Sequence, residues 1–219
     1  MLGCVAPRPI YRLQPIADDT LWIYGKEYVE SRNDSFAVAI AYDRTVKDYL
    51  IFELEIENGT SHTILVSPEK CYFNLLKWTP TANTVDPVYA VDPEIKLEQL
   101  DKALSRENAR HASAFAANIT FTLLDIFAEI VTHSDDDSDV CDYDIEDDNK
   151  HERIVSNLQQ IRDSWEFDTL RKTTLLPQQK VQGLVYFPIQ ETAERIRIHI
   201  PIAGWNAGFT FDQTKITVK

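Results

Sequence analysis

Between Arg195 and Ile202 the chain alternates without a break, with Ile196, Ile198, Ile200 and Ile202 in one set and Arg195, Arg197 and His199 in the other. A period of two belongs to a strand with one face buried and one in solvent, because successive side chains of an extended chain point to opposite sides. Tyr49–Ile56 carries the same signal: Leu50, Phe52, Leu54 and Ile56 form the apolar set, and Glu53, Glu55 and Glu57 the polar one. Phe36, Val38, Ile40 and Tyr42 alternate with Ala37, Ala39 and Ala41, which predicts a strand with one bulky and one small face.

Leu21–Tyr24 reads as a short edge strand, and Asn58-Gly59 as a turn that favours positive φ. Thr63–Ser67, ended by Pro68, and Cys71–Leu76 read as further strands. A turn over Thr173–Pro177 leads into a strand with Val181, Gly183, Val185 and Phe187 on one face, and Phe209 and Phe211 begin the last strand. Short strands at regular spacing with turn signals predict a mainly β protein, a sandwich or barrel, rather than an α/β fold.

The period changes at Asp92-Pro93-Glu94, where a capping carboxylate, a first-turn proline and a first-turn acid combine. Ile95, Leu100, Ala103 and Leu104 then define a helical face. A second helical segment is predicted over Glu107–Thr132 through Phe115, Ile119, Leu123, Phe127 and Ile130, and a third over Lys150–Trp165 through Ile154, Leu158 and Ile161. The expected organisation is an N-terminal tether over 1–19 and a single domain over 20–219. That domain is interrupted by a helical insertion at about residues 93–165, which includes an acidic loop over 134–149.

The net charge of −13 is a local feature. Nine of the 35 acidic residues lie in Asp135–Asp148, which contains no Lys or Arg; the remaining 26 face 22 basic ones. With no basic stripe there is no footprint for a phosphate backbone, which argues against nucleic-acid binding. Three scattered cysteines, Cys4, Cys71 and Cys141, make neither a disulfide framework nor a zinc ribbon. The longest apolar stretch, Phe115–Val131, is broken by five polar residues and falls short of the roughly 20 apolar residues a membrane-spanning helix needs.

Within the acidic run, Asp135, Asp137, Asp139 and Glu146 fall at positions 1, 3, 5 and 12 of a calcium-binding EF-hand loop. Val140 stands where the sharp turn needs Gly, and Asp142 where an apolar residue would pack, so the expectation is a solvated loop and no metal site. His133, Cys141 and His151 match no zinc spacing. No nucleophile elbow, zincin motif, Walker loop or dinucleotide fingerprint is present, and no catalytic or cofactor-binding residue is expected. His199 is placed on a solvated sheet face with Arg195 and Arg197, and a pairing of His62 with a distant carboxylate stays open. Of Trp22, Trp78, Trp165 and Trp205, Trp165 is expected to plug the insertion against the β domain; Trp205, at a loop tip, is the better interface candidate, with core or loop packing the favoured reading.

At the N-terminus, Leu2-Gly3-Cys4 has the form of the end of a bacterial lipobox, although no charged and apolar leader precedes it; the following prolines suit a stiff, extended tether. TTLLPQQKVQGLVYFP (Thr173–Pro188) resembles a signature of bacterial immunoglobulin-like domains in exported proteins of unknown function. Its usual form is Thr-Thr-Leu, a Pro-Gly turn, a polar pair, Gly, and a hydrophobic strand ending Phe-Pro. ELEIENGTSHTILVSPEKCYF (Glu53–Phe73) is similar to that family in having an Asn that ends a strand and a Ser-Pro that leads into the next. The resemblance covers Tyr49–Phe73 and Leu170–Phe211, about a third of the chain, and leaves the helical insertion out. Gln178 stands where the turn usually has Gly, which implies a less demanding turn.

The resemblance implies an immunoglobulin-like β-sandwich with a helical insertion, lipidation of Cys4, and a place in the bacterial cell envelope as a periplasmic or outer-membrane lipoprotein. It implies a non-catalytic interaction or scaffold role, with a protein or envelope surface component as partner and the membrane reached only through the lipid. No cofactor is expected. Two other classes stay open: an enzyme or enzyme subunit with a site between insertion and sandwich, and a calcium-dependent binding module using the acidic loop.

Overall fold

The computed structural model describes residues 9–76, 86–112 and 143–216. The chain is mainly β, with antiparallel sheets and, among the described residues, two helices, and it divides into two compact units. One comprises the chain up to Pro93 and from Asp168 onward; the other is Glu94–Phe167.

The first unit contains β1 (Ile10–Pro15), β2 (Leu21–Ile23), β3 (Lys26–Arg32), β4 (Phe36–Val46), β5 (Tyr49–Asn58), β6 (Ile64–Val66), β7 (Tyr72–Leu75) and β8 (Val88–Tyr89). After the helical unit it resumes with β9 (Thr173–Leu175), β10 (Lys180–Pro188), β11 (Arg195–Ile202) and β12 (Trp205–Ile216). One five-stranded sheet runs β1-β12-β11-β7-β8, the other β10-β5-β4-β3-β2, and β6 pairs with β9 in a two-stranded ribbon.

The alternating isoleucines of β11 are all buried, and so are Leu50, Phe52, Leu54 and Ile56 of β5. Both five-stranded sheets contribute to one core. Its aromatic centre steps between them: Phe52 meets Phe211 at 5.1 Å and Phe187 at 5.9 Å between ring centroids, and Phe187 meets Phe73 at 5.6 Å, all edge-to-face. Such pairs add about 0.5–1.5 kcal/mol each beyond the area they bury.

Two local devices fix the ends of β5 and β10. Asn58, with no solvent exposure, donates through Nδ2 to the carbonyls of His62 (2.8 Å), Leu175 (3.2 Å) and Leu176 (3.2 Å). Its Oδ1 accepts from the backbone N–H (3.1 Å) and hydroxyl (2.7 Å) of Thr60. Gly183 lies against the returning chain, where a Cβ would sit 2.6 Å from the Leu170 nitrogen. That close approach lets the Leu170 N–H donate to Leu184 O (2.9 Å) and the Leu184 N–H to Asp168 O (2.8 Å).

Several expectations are corrected. The tether predicted over 1–19 contains a strand: Ile10–Pro15 pairs along β12, with Tyr11 and Leu13 buried, so its own period of two outweighs the flanking prolines. Lys26–Arg32, whose polar composition hid it, is a full strand of the second sheet. The predicted turn over Thr173–Pro177 begins as β9, and the turn itself is Leu176–Gln179. Gln178 sits there at φ 59°, so the geometry is as demanding as one with Gly. Its N–H donates to Asn58 O (2.7 Å) and its side-chain amide to Gly59 O (2.9 Å), offsetting a cost of about 1 kcal/mol for the left-handed backbone.

In the second unit, α1 (Pro93–Ala112) and α2 (Tyr143–Phe167) pair antiparallel. Three contacts fix the direction: the Lys96 ammonium 6.0 Å from the Trp165 ring centroid, Arg162 Nε to Asp101 Oδ1 at 2.6 Å, and His151 Nδ1 to Glu107 Oε1 at 3.4 Å. The buried stripe of α1 includes Leu97 and Leu100 and excludes Ile95, which is 54% exposed. At about 100° per residue, Ile95 and Leu100 stand too far apart to share a narrow face, whereas Leu97 and Leu100 do not. No break separates the first predicted helix from the second up to Ala112. The acidic loop expected over 134–149 is helical from Tyr143, with its earlier part outside the described residues.

Candidate binding groove

The small face of β4 positions a groove. Ala37, Ala39 and Ala41 turn away from the core in the centre of the second sheet, flanked by Lys26, Tyr28 and Glu30 of β3 and by Glu53, Glu55 and Glu57 of β5. Strands two apart are separated by roughly 10 Å, and with only methyl groups between them the taller side chains reach across. Along one row, Tyr28–Ala41–Glu53, the Tyr28 hydroxyl donates to Glu53 Oε2 at 2.7 Å. Lys26 Nζ bonds the same oxygen at 2.6 Å and Asp43 Oδ1 at 2.7 Å, and the Gln182 amide donates to Glu53 Oε1. The bulge between Tyr42 and Arg44 aims Asp43 at Lys26, as bulges re-aim side chains elsewhere.

Beside this network lies a concavity of about 620 Å³, within the range of ligand pockets. Its floor includes Ala39, and its walls carry four carboxylates, Asp19, Glu30, Glu53 and Glu55, against one ammonium, Lys26. Glu30 and Glu55 stand on opposite sides of Ala39 in the next row. Leu21, Ile23 and Tyr24 complete the rim. They belong to the β2–β3 hairpin, whose central residues Tyr24 and Gly25 have φ 49° and 80°, the type I′ pattern that matches strand twist. Tyr24 is fully exposed and Trp22 61% exposed.

The network titrates far from neutrality. Burial opposes ionisation of Glu53, but hydrogen bonds from Lys26, Tyr28 and Gln182 outweigh it and hold the carboxyl below its usual range. Burial, with the hydrogen bond to Glu53, pushes the Tyr28 phenol up to about 12. Burial works against the Lys26 ammonium, yet Asp43 and Glu53 together raise its pKa.

Residues singled out by sequence fall elsewhere. Cys4, His133, Cys141, Trp78, Asp135, Asp137 and Asp139 lie outside the described residues, and Glu146 is on α2. Among the described residues no group of three or more His, Cys, Asp or Glu is placed to hold a metal ion, and no helix is long and apolar enough to cross a membrane. His62 offers its backbone carbonyl, to Asn58 and Thr60. His199 stacks on Tyr72 (4.7 Å, 12°) between the amides of Asn74 and Asn206, and burial together with Arg197 lowers its pKa. Arg195 binds Asp212 at 2.6 Å. Trp165 is buried.

Trp205 stacks on Phe36 (6.2 Å, 15°) at the core's edge, the packing role favoured for it, and among the described tryptophans Trp22 is the exposed one. Lys26 and Tyr28 escaped sequence reading because their strand was missed. The available signal was Tyr24-Gly25, a two-residue turn directly after an apolar strand. No family model matches the chain, and neither a curated protein nor a solved structure matches it.

Proposed function

We propose that this protein is a non-catalytic interaction module: an immunoglobulin-like β-sandwich that binds a cationic group of another protein in the groove above Ala39. The observation that carries this reading is the lining, four carboxylates and one ammonium around a concavity on a rigid sheet. The protonation states favour binding over catalysis. A general acid or base works best with a pKa near the working pH, and Glu53 and Tyr28 are driven in opposite directions away from it. The envelope location and lipidation of Cys4 belong to the same proposal and rest on the resemblance of Thr173–Pro188 and Glu53–Phe73 to exported domains.

The test is an NMR titration of the full chain with arginine-rich and glutamate-rich peptides. Amide shifts should concentrate on β3, β4 and β5 for the basic peptide alone, and weaken with salt. Equal response to both peptides, or none to the basic one, overturns the reading.

A further inference from the structure

We infer that the occupant of the groove is an extended segment of a partner protein carrying an apolar side chain for the β2–β3 hairpin and an arginine or lysine for Glu30 and Glu55. This rests on the groove reading above and goes further by fixing the chemistry and spacing of the partner. Leu21 and Ile23, on one face of β2, and Tyr24 at the turn are exposed large side chains beside the groove, and apolar exposure grouped in this way marks an interaction surface. Leu21 and Ile23 line the groove, so apolar rim and acidic wall face one occupant.

Charge decides among candidate occupants. A second copy docking through the same face would bring another acidic groove to the same place. Nucleic acid and anionic lipid are repelled for the same reason. A simple polyamine satisfies the carboxylates and leaves the hairpin in water. Only an amphipathic cation meets both.

The sheet sets the spacing. Leu21, Tyr28 and Ala41 form one cross-strand row, and Ala39, flanked by Glu30 and Glu55, stands in the next, so the cation's place above Ala39 is two strand spacings across and one row along from Leu21, about 12 Å. An extended segment places side chains i and i+4 on one face about 13 Å apart. The partner therefore presents its cation about four residues from its apolar anchor. The cation displaces only weak surface pairs: Arg32 Nε on Glu30 (2.7 Å) and Lys180 Nζ on Glu55 (3.1 Å), both between exposed side chains.

The test is fluorescence anisotropy with labelled peptides of about nine residues. The probe carries leucines and arginines at the i, i+4 spacing in a serine background; one control replaces the leucines by serine and another the arginines by glutamate. The probe should bind about tenfold more tightly than the leucine-free control. Leu21→Ser should lose most of that advantage, and Glu55→Gln should weaken binding about threefold. Leu21 and Glu55 are solvent-facing, and unchanged melting temperatures will show that both variants fold.

If the leucine-free peptide binds equally well and Leu21→Ser changes nothing, the amphipathic partner is overturned while the acidic groove stands. If no arginine peptide binds at millimolar concentration, or the glutamate peptide binds as well, both fall. A concentration-dependent dimer abolished by Leu21→Ser would show that the hairpin is a self-interface, and would overturn the inference.

Discussion

Replacing Asn58 with alanine removes a buried amide that serves two loops at once. The Leu175 carbonyl, bonded at a buried position, loses its amide donor, as does the Leu176 carbonyl. His62 O keeps the Thr60 hydroxyl at 2.9 Å, whereas the Thr60 N–H loses its acceptor. One stranded buried carbonyl costs about 1–3 kcal/mol, and each partly exposed group, which water can reach, about 0.5–1 kcal/mol. The expected loss is therefore about 3 kcal/mol, a large part of the roughly 5–15 kcal/mol that holds a domain folded. For a chain of this length that lowers the melting temperature by about 6–12 °C.

Urea denaturation followed by tryptophan fluorescence measures the loss directly, with the slope unchanged if the unfolded state is unaffected. Asn58→Asp sharpens the experiment. It presents a carboxylate to three carbonyl oxygens, so its folded pKa rises above the unfolded value near 4 and its deficit grows as pH rises from about 4 to 7. A loss under about 1 kcal/mol for Asn58→Ala, or a pH-independent deficit for Asn58→Asp, would refute the argument that this amide joins β5 to the β9–β10 turn.

Gly183→Ala should destabilise by about 3 kcal/mol, because the added Cβ forces apart the backbone of Leu170 and the two hydrogen bonds beside it; equal urea midpoints would show that the chain yields without cost. Tyr28 has a folded pKa near 12 against about 10 unfolded, so its stabilising contribution is intact below pH 10 and is lost as pH climbs toward 12. Tyr28→Phe should therefore flatten the fall in urea midpoint between about pH 10 and 12, and parallel curves would contradict the assignment. The Cys71 thiol, pushed up to about 12 by burial and the nearby Glu69 charge, should stay unreactive to a disulfide reagent in a Cys4→Ser, Cys141→Ser background until urea unfolds the protein. Rapid labelling of the native protein would contradict its burial.

Strands with a strong internal period were legible in the sequence: β5 and β11 bury the whole set their alternation names, while β4 buries Phe36, Val38 and Ile40 of its set and β10 buries Val185 and Phe187. What escaped was decided by pairing partners rather than by the strand's own pattern, remote ones for β1 and adjacent ones for the polar β3. β1 gains its place from pairing along β12, about 200 residues away, and β3 from lying between β2 and β4. Half of the groove was legible, since Glu53, Glu55 and Glu57 and the alanines of β4 were assigned to single faces before their neighbours were known. The other half, Lys26 and Tyr28, needed the register that sets Tyr28 opposite Ala41 and Ala41 opposite Glu53. A lone chemistry-bearing residue was a poor guide, since His62 acts through its backbone, whereas Trp205 packs against Phe36 as its favoured role implied.

The alanine stripe itself is the strongest local sign of function, because it contradicts strand propensity. Central strands favour β-branched and aromatic residues, and alanine is among the poorer choices by up to about 1 kcal/mol per position. Three alanines on the outer face of β4 forgo that stabilisation, and such local contradictions are expected at sites kept for something other than folding. Ala41 is fully buried under the bridge from Tyr28 to Glu53, so its size is set by that contact. Ala39 is different: it is only half-buried and opens into the concavity between Glu30 and Glu55. Ala39→Val should thus leave the melting temperature unchanged or raise it slightly while cutting affinity for the arginine-bearing peptide about tenfold, by filling the space where the cation sits. A valine variant that is less stable would mean that Ala39 is small for packing reasons, and one that binds normally would place the cation elsewhere.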